Sequence, residues 1–154
     1  MEFHIATEKE LKYCCRRLRE LGRWEWLFPN WKCPENEFAA WMLHNNVPIA
    51  MNHDGGVTAC CWLYDFEGKT ARIGFAALEP LTREMIRGFR AVVRGCFGRS
   101  GLVAILGMVD GSNRASLHVA RRVGFREAVK IPAGAADGSD LYVMIANKED
   151  VQNG

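Results

Sequence analysis

The chain has no apolar run near the roughly 18 residues that a membrane-spanning helix needs, so a spanning helix is excluded. Its start, Met1-Glu2-Phe3-His4, lacks the basic-then-apolar layout of a secretory leader, and a cytoplasmic protein is the expectation. Charge of one sign is also scarce. Lys and Arg total 20 against 18 Asp and Glu, and a net charge of +2 is too small to imply a nucleic-acid partner. The six cysteines lack zinc spacing: Cys14-Cys15 and Cys60-Cys61 are adjacent pairs, and Cys33 and Cys96 stand alone, with no C-x2-C. No metal is therefore expected. Most fall at apolar positions, where free thiols behave as small hydrophobes. No repeat, low-complexity tract or second-domain signal appears.

What is present reads as one globular domain. A chain of 154 residues with 49% apolar and 25% charged content buries one sizeable core. The expected domain is 1–147, with 148–154 a polar, frayed tail.

Local signals give an element order. Phe3 to Ala6 reads as a strand. Thr7-Glu8-Lys9-Glu10 is a capping box, and Leu11, Cys14, Cys15, Leu18 and Leu21 form a helical stripe that Gly22 ends. Arg23 to Trp31 (RWEWLFPNW) has no period and reads either as an aromatic wall or as an apolar loop against the sheet. Pro34 to Asn45 is a helix. Strands follow at Val47–Met51, Val57–Tyr64 and Lys69–Leu78, with Asp54-Gly55-Gly56 as a hairpin turn. Pro48 places the first of them near a sheet edge. Thr82 to Phe97 is a long amphipathic helix whose exit Gly98 and Gly101 flank. Leu102 to Val109 is a strand buried on both faces, and Asp110-Gly111-Ser112-Asn113 breaks it. Ser112 or Asn113 caps the next helix, in which Ser116, Val119, Ala120 and Val123 share a face and Gly124 is the stop. Strands at Glu127–Ile131 and Leu141–Ala146 enclose the loop Ala133–Ser139.

The run Asn113-x-x-Ser116-x-x-Val119-Ala120-x-x-x-Gly124-Phe125 resembles the N-x-x-A-x-x-L-Y-x-x-x-G-F signature of the GNAT acyltransferases, which move an acyl group from coenzyme A to an amine. The element order is similar along nearly the whole chain. The resemblance implies a mixed α/β (α+β) fold with a mostly antiparallel central sheet of six to seven strands and about four helices. It implies acetyl-coenzyme A, or another acyl-coenzyme A, as co-substrate, lying between the strand ending near Leu78 and the strand ending near Val109. The cofactor-binding residues it implies are Phe75, Ala76, Ala77 and Leu78 along one strand, Thr82 and Arg83 at a helix entrance, and Asn113. The acceptor, a small-molecule or peptide amine, is expected beside Trp24, Trp26, Trp31 and His53. A homodimer is left open.

Two features depart from the pattern, the phosphate loop and the acid–base positions. Leu78 to Glu84 has no glycine, so backbone amides approach a phosphate less closely there. Ala120 stands where the family has a proton-donating tyrosine, and Met108 where it often has an acidic base. Glu79, Asp110 and Tyr142 remain candidate acid–base groups, beside His53 and Asp54. Arg83, Arg87, Arg90 and Arg94 recur along one helix face, either as a basic rim for the nucleotide or as a solvated face. The two functional readings are an N-acetyltransferase acting by direct attack and a catalytically degenerate binding module on the same fold.

Overall fold

The computed structural model describes all of residues 1–154. The elements, in order, are β1 (Glu2–Ile5), α1 (Glu8–Glu20), α2 (Trp24–Leu27), α3 (Glu35–Asn45), β2 (Val47–His53), β3 (Gly56–Glu67), β4 (Thr70–Ala77), α4 (Arg83–Ser100), β5 (Ala104–Asp110), α5 (Arg114–Val123), β6 (Arg126–Ile131), β7 (Leu141–Asn147) and α6 (Lys148–Asn153). The sheet has seven strands in the order β1-β2-β3-β4-β5-β7-β6. The β1–β2, β2–β3, β5–β7 and β6–β7 ladders are antiparallel, and β4 runs parallel to β5. The expected mixed α/β class and strand number hold, with six helices in place of about four. By compactness the chain divides into Met1–Tyr64 with Gly74–Met85, and Asp65–Ile73 with Ile86–Gly154.

In the first unit, α1 begins as its sequence dictates. Thr7 Oγ1 accepts the Glu10 N–H at 3.3 Å and Glu10 Oε2 accepts the Thr7 N–H at 2.8 Å, which satisfies two otherwise orphaned donors. Leu11, Cys14, Cys15 and Leu18 of α1 are buried, as the stripe requires. Pro48 lies one residue past the β1 ladder, which ends at Ile5↔Ile49. Its missing N–H therefore costs that ladder nothing. Asp54 (φ 50°) and Gly55 (φ 80°) both take left-handed backbone, the two-residue turn whose twist suits a hairpin.

The aperiodic RWEWLFPNW stretch contains one helical turn, α2, and supplies much of this unit's core. The Trp24 ring centroid lies 4.8 Å from that of Phe28 and 5.2 Å from that of Phe38. Phe28 in turn stacks on Trp62 at 5.6 Å. Trp24 Nε1–H donates to the Trp31 carbonyl at 2.7 Å, so the buried indole leaves no unpaired donor. Trp26 is the exception and stands 65% exposed.

In the second unit, β4 pairs with β5 over Thr70↔Ala104, Ala71↔Ile105 and Arg72↔Leu106. β7 lies between β5 and β6. β5 is less buried than expected, with Met108 38% exposed. In α5 the buried residues are Leu117, Val119 and Val123, so Leu117 joins the inward face while Ser116 and Ala120 are only half-buried. Two corrections concern chain ends. α4 runs through Gly98 to Ser100, and Gly101 (φ 69°) is the stop. A helical glycine costs only about 1 kcal/mol relative to alanine, which is too little to end a helix with a buried apolar face. The tail expected to fray is α6. Arg94 Nε donates to the Val151 carbonyl at 2.8 Å and its Nη2 donates to the Gly154 carbonyl at 2.7 Å, while Val151 itself is buried.

All six cysteines are free and buried. Burial pushes the Cys15 and Cys96 thiols up to about 11, so neither is a ready thiolate. No helix is long and apolar enough to cross a membrane.

Candidate functional site

On the first unit, the sequence singled out the end of β4. Ala76, Ala77 and Leu78 are buried and Phe75 is half-buried. The Leu78 N–H donates to the Thr58 carbonyl of β3 at 2.9 Å. Arg23 Nη1 donates to the Ala77 carbonyl at 2.7 Å. Glu79 sits 3.7 Å from an Arg17 nitrogen, with its side chain 43% exposed. That surface pairing suits a rim better than a proton-transfer group.

The entrance of α4 follows. Thr82 Oγ1 accepts the Met85 N–H at 3.1 Å, so the hydroxyl caps the helix and removes one free donor. Arg83, the first residue of α4, is exposed. His53 Nε2 lies 3.6 Å from Glu84 and 3.4 Å from Asp54, beside this entrance.

A cleft of about 550 Å³ opens beside the aromatic segment, lined by Arg19, Trp24, Glu25, Trp31, Lys32 and Cys33 together with Gly22 and Pro34. Arg19 lies over the Trp24 ring, 4.5 Å from its centroid, and also donates to the Cys33 carbonyl. Trp24 and Trp31 thus face the cleft while anchoring the core, whereas Trp26 takes no part. The cleft combines indole surface with one carboxylate and two cations.

On the second unit, Asp110, Asn113 and Tyr142 gather around one turn. The Asn113 N–H donates to the Asp110 carbonyl at 2.9 Å, and Asn113 Oδ1 accepts the Ser116 N–H at 3.1 Å as the α5 cap. Gly124 (φ 118°) closes α5 in left-handed backbone, as the motif demands. The Tyr142 ring packs against Gly111, where a Cβ would sit 3.2 Å from Cε2. Burial raises the Asp110 carboxyl, and the neighbouring Asp137 charge raises it further. Asp137 is itself held down to about 2 by hydrogen bonds from the Ser112 and Ser139 hydroxyls and the Ser139 N–H. Two carboxylates in one neighbourhood thus take opposite protonation tendencies.

Asp137 was not anticipated from the sequence, and Arg23 and Ser112, read only as the start of the aromatic stretch and as an alternative cap, take their partners from distant segments. Of the four arginines read either as a basic rim or as a solvated face, Arg94 fits neither simply, because it donates to the α6 carbonyls. No group of three or more His, Cys, Asp or Glu side chains is placed to hold a metal ion.

No protein-family model matches the chain, and no curated protein matches its sequence. Solved structures do match its fold. A spermidine N-acetyltransferase from Vibrio cholerae, solved with coenzyme A and spermine, superposes with a TM-score of 0.81 at 11% identity, covering 99% of this chain and 98% of its own. An aminoglycoside acetyltransferase with coenzyme A and kanamycin gives a TM-score of 0.77 at 13% identity, covering 98% and 96%. A GNAT-family acetyltransferase from Bacillus anthracis gives 0.75 at 15%, covering 96% and 94%. From one end to the other, this chain is built on the fold of the GNAT acetyltransferases.

Proposed function

We propose that the protein is an N-acetyltransferase that passes an acetyl group from acetyl-coenzyme A to a small amine. The observation that carries this reading is the match of the whole chain to acetyltransferase structures, two of them solved with coenzyme A and an amine-bearing ligand.

The residues present fit such a co-substrate. The C-terminal half of β4, Phe75 to Ala77, with Leu78 just beyond it, is the stretch whose main chain would meet an amide-bearing arm, although the Ala77 carbonyl and the Leu78 N–H already have partners. Arg83 stands exposed at the positive end of an 18-residue helix, where a fork-shaped donor meets a phosphate. Asn113 lies at the start of the motif helix. Bound acetyl-coenzyme A supplies an activated acyl carbon as its thioester.

The chain's own work is then to hold an amine and remove its proton. The cleft offers the Trp31 indole and the Glu25 carboxylate to an ammonium group, with Arg19 already over the Trp24 ring and Lys32 on the rim as opposing charges that a bound amine must avoid. As the amine nitrogen bonds to the acyl carbon, the carbon–sulfur bond breaks and the thiolate leaves. The ammonium first gives one proton to solvent so that its nitrogen can attack; the second, shed as nitrogen bonds to carbon, goes to the thiolate, and Asp110 is the candidate base for it. A carboxyl lifted above the ordinary aspartate range is a stronger base than a surface one. Orientation alone supplies about 7–11 kcal/mol of the barrier, so the alanine at 120 leaves the reaction feasible.

Calorimetry with acetyl-coenzyme A, followed by thiol release over a panel of polyamines, aminoglycosides and peptide N-termini, tests this. Heat of binding and turnover on one class are expected. An absence of heat at millimolar ligand would refute the reading. Binding with no turnover across the panel would leave a binding module on this fold.

A further inference from the structure

Two hydrogen bonds on consecutive residues fix how the end of β4 faces its surroundings. The Leu78 N–H reaches Thr58 of β3 at 2.9 Å. Consecutive residues of an extended chain turn their polar groups to opposite edges, so the Ala77 carbonyl points away from β3. There Arg23 Nη1 donates to it at 2.7 Å. Arg23 is exposed, but its backbone is fixed. Its own N–H donates to the Leu18 carbonyl at 2.9 Å as α1 ends, and the next residue, Trp24, is anchored in the core. The guanidinium is thus held at a carbonyl that a strand-like ligand arm would otherwise use.

We propose that Arg23 is an internal competitor for the pantetheine arm: its guanidinium occupies the Ala77 carbonyl in the free protein and must leave before an amide of the ligand takes that acceptor. This rests on the acetyltransferase reading above. The exchange sets a ceiling on ligand affinity and makes access depend on a single side-chain rotation. It also separates two parts of the ligand. The arm competes with Arg23, and the nucleotide does not.

The test compares wild type with Arg23→Ala and Arg23→Gln by calorimetry, using S-acetylpantetheine, which has the arm alone, and adenosine 3′,5′-bisphosphate, which has the nucleotide alone. A bond to a charged donor is among the stronger protein hydrogen bonds, so Arg23→Ala is expected to tighten S-acetylpantetheine by about tenfold and leave the bisphosphate unchanged. Arg23→Gln, which keeps an uncharged donor, tightens it by a smaller factor and carries the test if the alanine variant does not fold. Unchanged or weaker arm binding in a folded variant overturns the proposal while leaving the acetyltransferase reading intact. Failure of wild type and variants alike to bind either probe or acetyl-coenzyme A overturns both.

Discussion

Gly74→Ala is expected to be the most costly single-methyl addition in β4. A Cβ at Gly74 would sit 2.2 Å from Cε2, 2.3 Å from Cζ2 and 2.5 Å from Nε1 of Trp62. Ordinary contact begins near 3.4 Å, so the ring must retreat by more than 1 Å. A flexible side-chain end would do this cheaply, but an indole moves as one plate. Trp62 is 7% exposed and stacks on Phe28, with an interplanar angle of 27°. Retreat therefore disturbs an aromatic pair worth about 0.5–1.5 kcal/mol beyond its buried area. Overpacking a tight core costs about 1–3 kcal/mol. Against this, alanine restricts the unfolded chain and returns about 0.4–1 kcal/mol. The net expectation is a loss of about 2–3 kcal/mol, read by denaturant titration as a lower midpoint at unchanged slope. Trp62→Leu removes the obstacle, so the double variant should cost at least about 1 kcal/mol less than the sum of the two single changes. A Gly74→Ala protein within about 0.5 kcal/mol of wild type, or strict additivity in the cycle, would refute the steric argument.

Other consequences follow from the same geometry. Asn113→Ala removes the acceptor for the Ser116 N–H and is expected to cost about 1 kcal/mol by denaturant titration, with Asn113→Asp restoring most of it. Asp137 has its carboxyl depressed to about 2, so its stabilising contribution is complete above the ordinary value near 4 and is lost as pH falls from there to about 2. Asp137→Asn should abolish that acid-side dependence in stability measurements across pH 2–5. If Asp110 is the base, the acid limb of kcat/KM lies above the ordinary aspartate range, and Asp137→Asn moves it lower by removing a like charge. A limb that does not move would exclude Asp110 from that role. The native protein should consume no thiol reagent on the timescale of an activity assay and six equivalents once unfolded. Rapid native labelling would contradict the burial described.

Local chemistry was readable wherever a few neighbouring residues close their own hydrogen bonds. The Thr7–Glu10 box, the Asp54-Gly55 turn, and the Asn113 and Gly124 ends of α5 all belong to this kind. The aromatic stretch after α1 lacked a period because its rings serve a core cluster rather than a helix face, which left α2 invisible, while the burial of Trp24 agrees with the reading as an apolar segment against the sheet. Gly98 reads as a stop and is not one, since the apolar face of α4 outweighs a single glycine. The candidate site divides in the same way. The Asn113 motif was found by spacing, whereas Arg23 meets Ala77 across 54 positions and Ser112 meets Asp137 across 25. No local pattern encodes such pairs.

The Arg94 clasp has a consequence for how the C-terminus tolerates change. Both bonds that Arg94 makes to the last seven residues go to main-chain carbonyls, at Val151 and Gly154. Main-chain oxygens are supplied by any amino acid. Apart from the buried valine, Asp150, which accepts from the Asn147 amide, and Gly154, where a Cβ would sit 2.7 Å from an Arg90 nitrogen, the identity of those residues should therefore matter less than the presence of the two carbonyls.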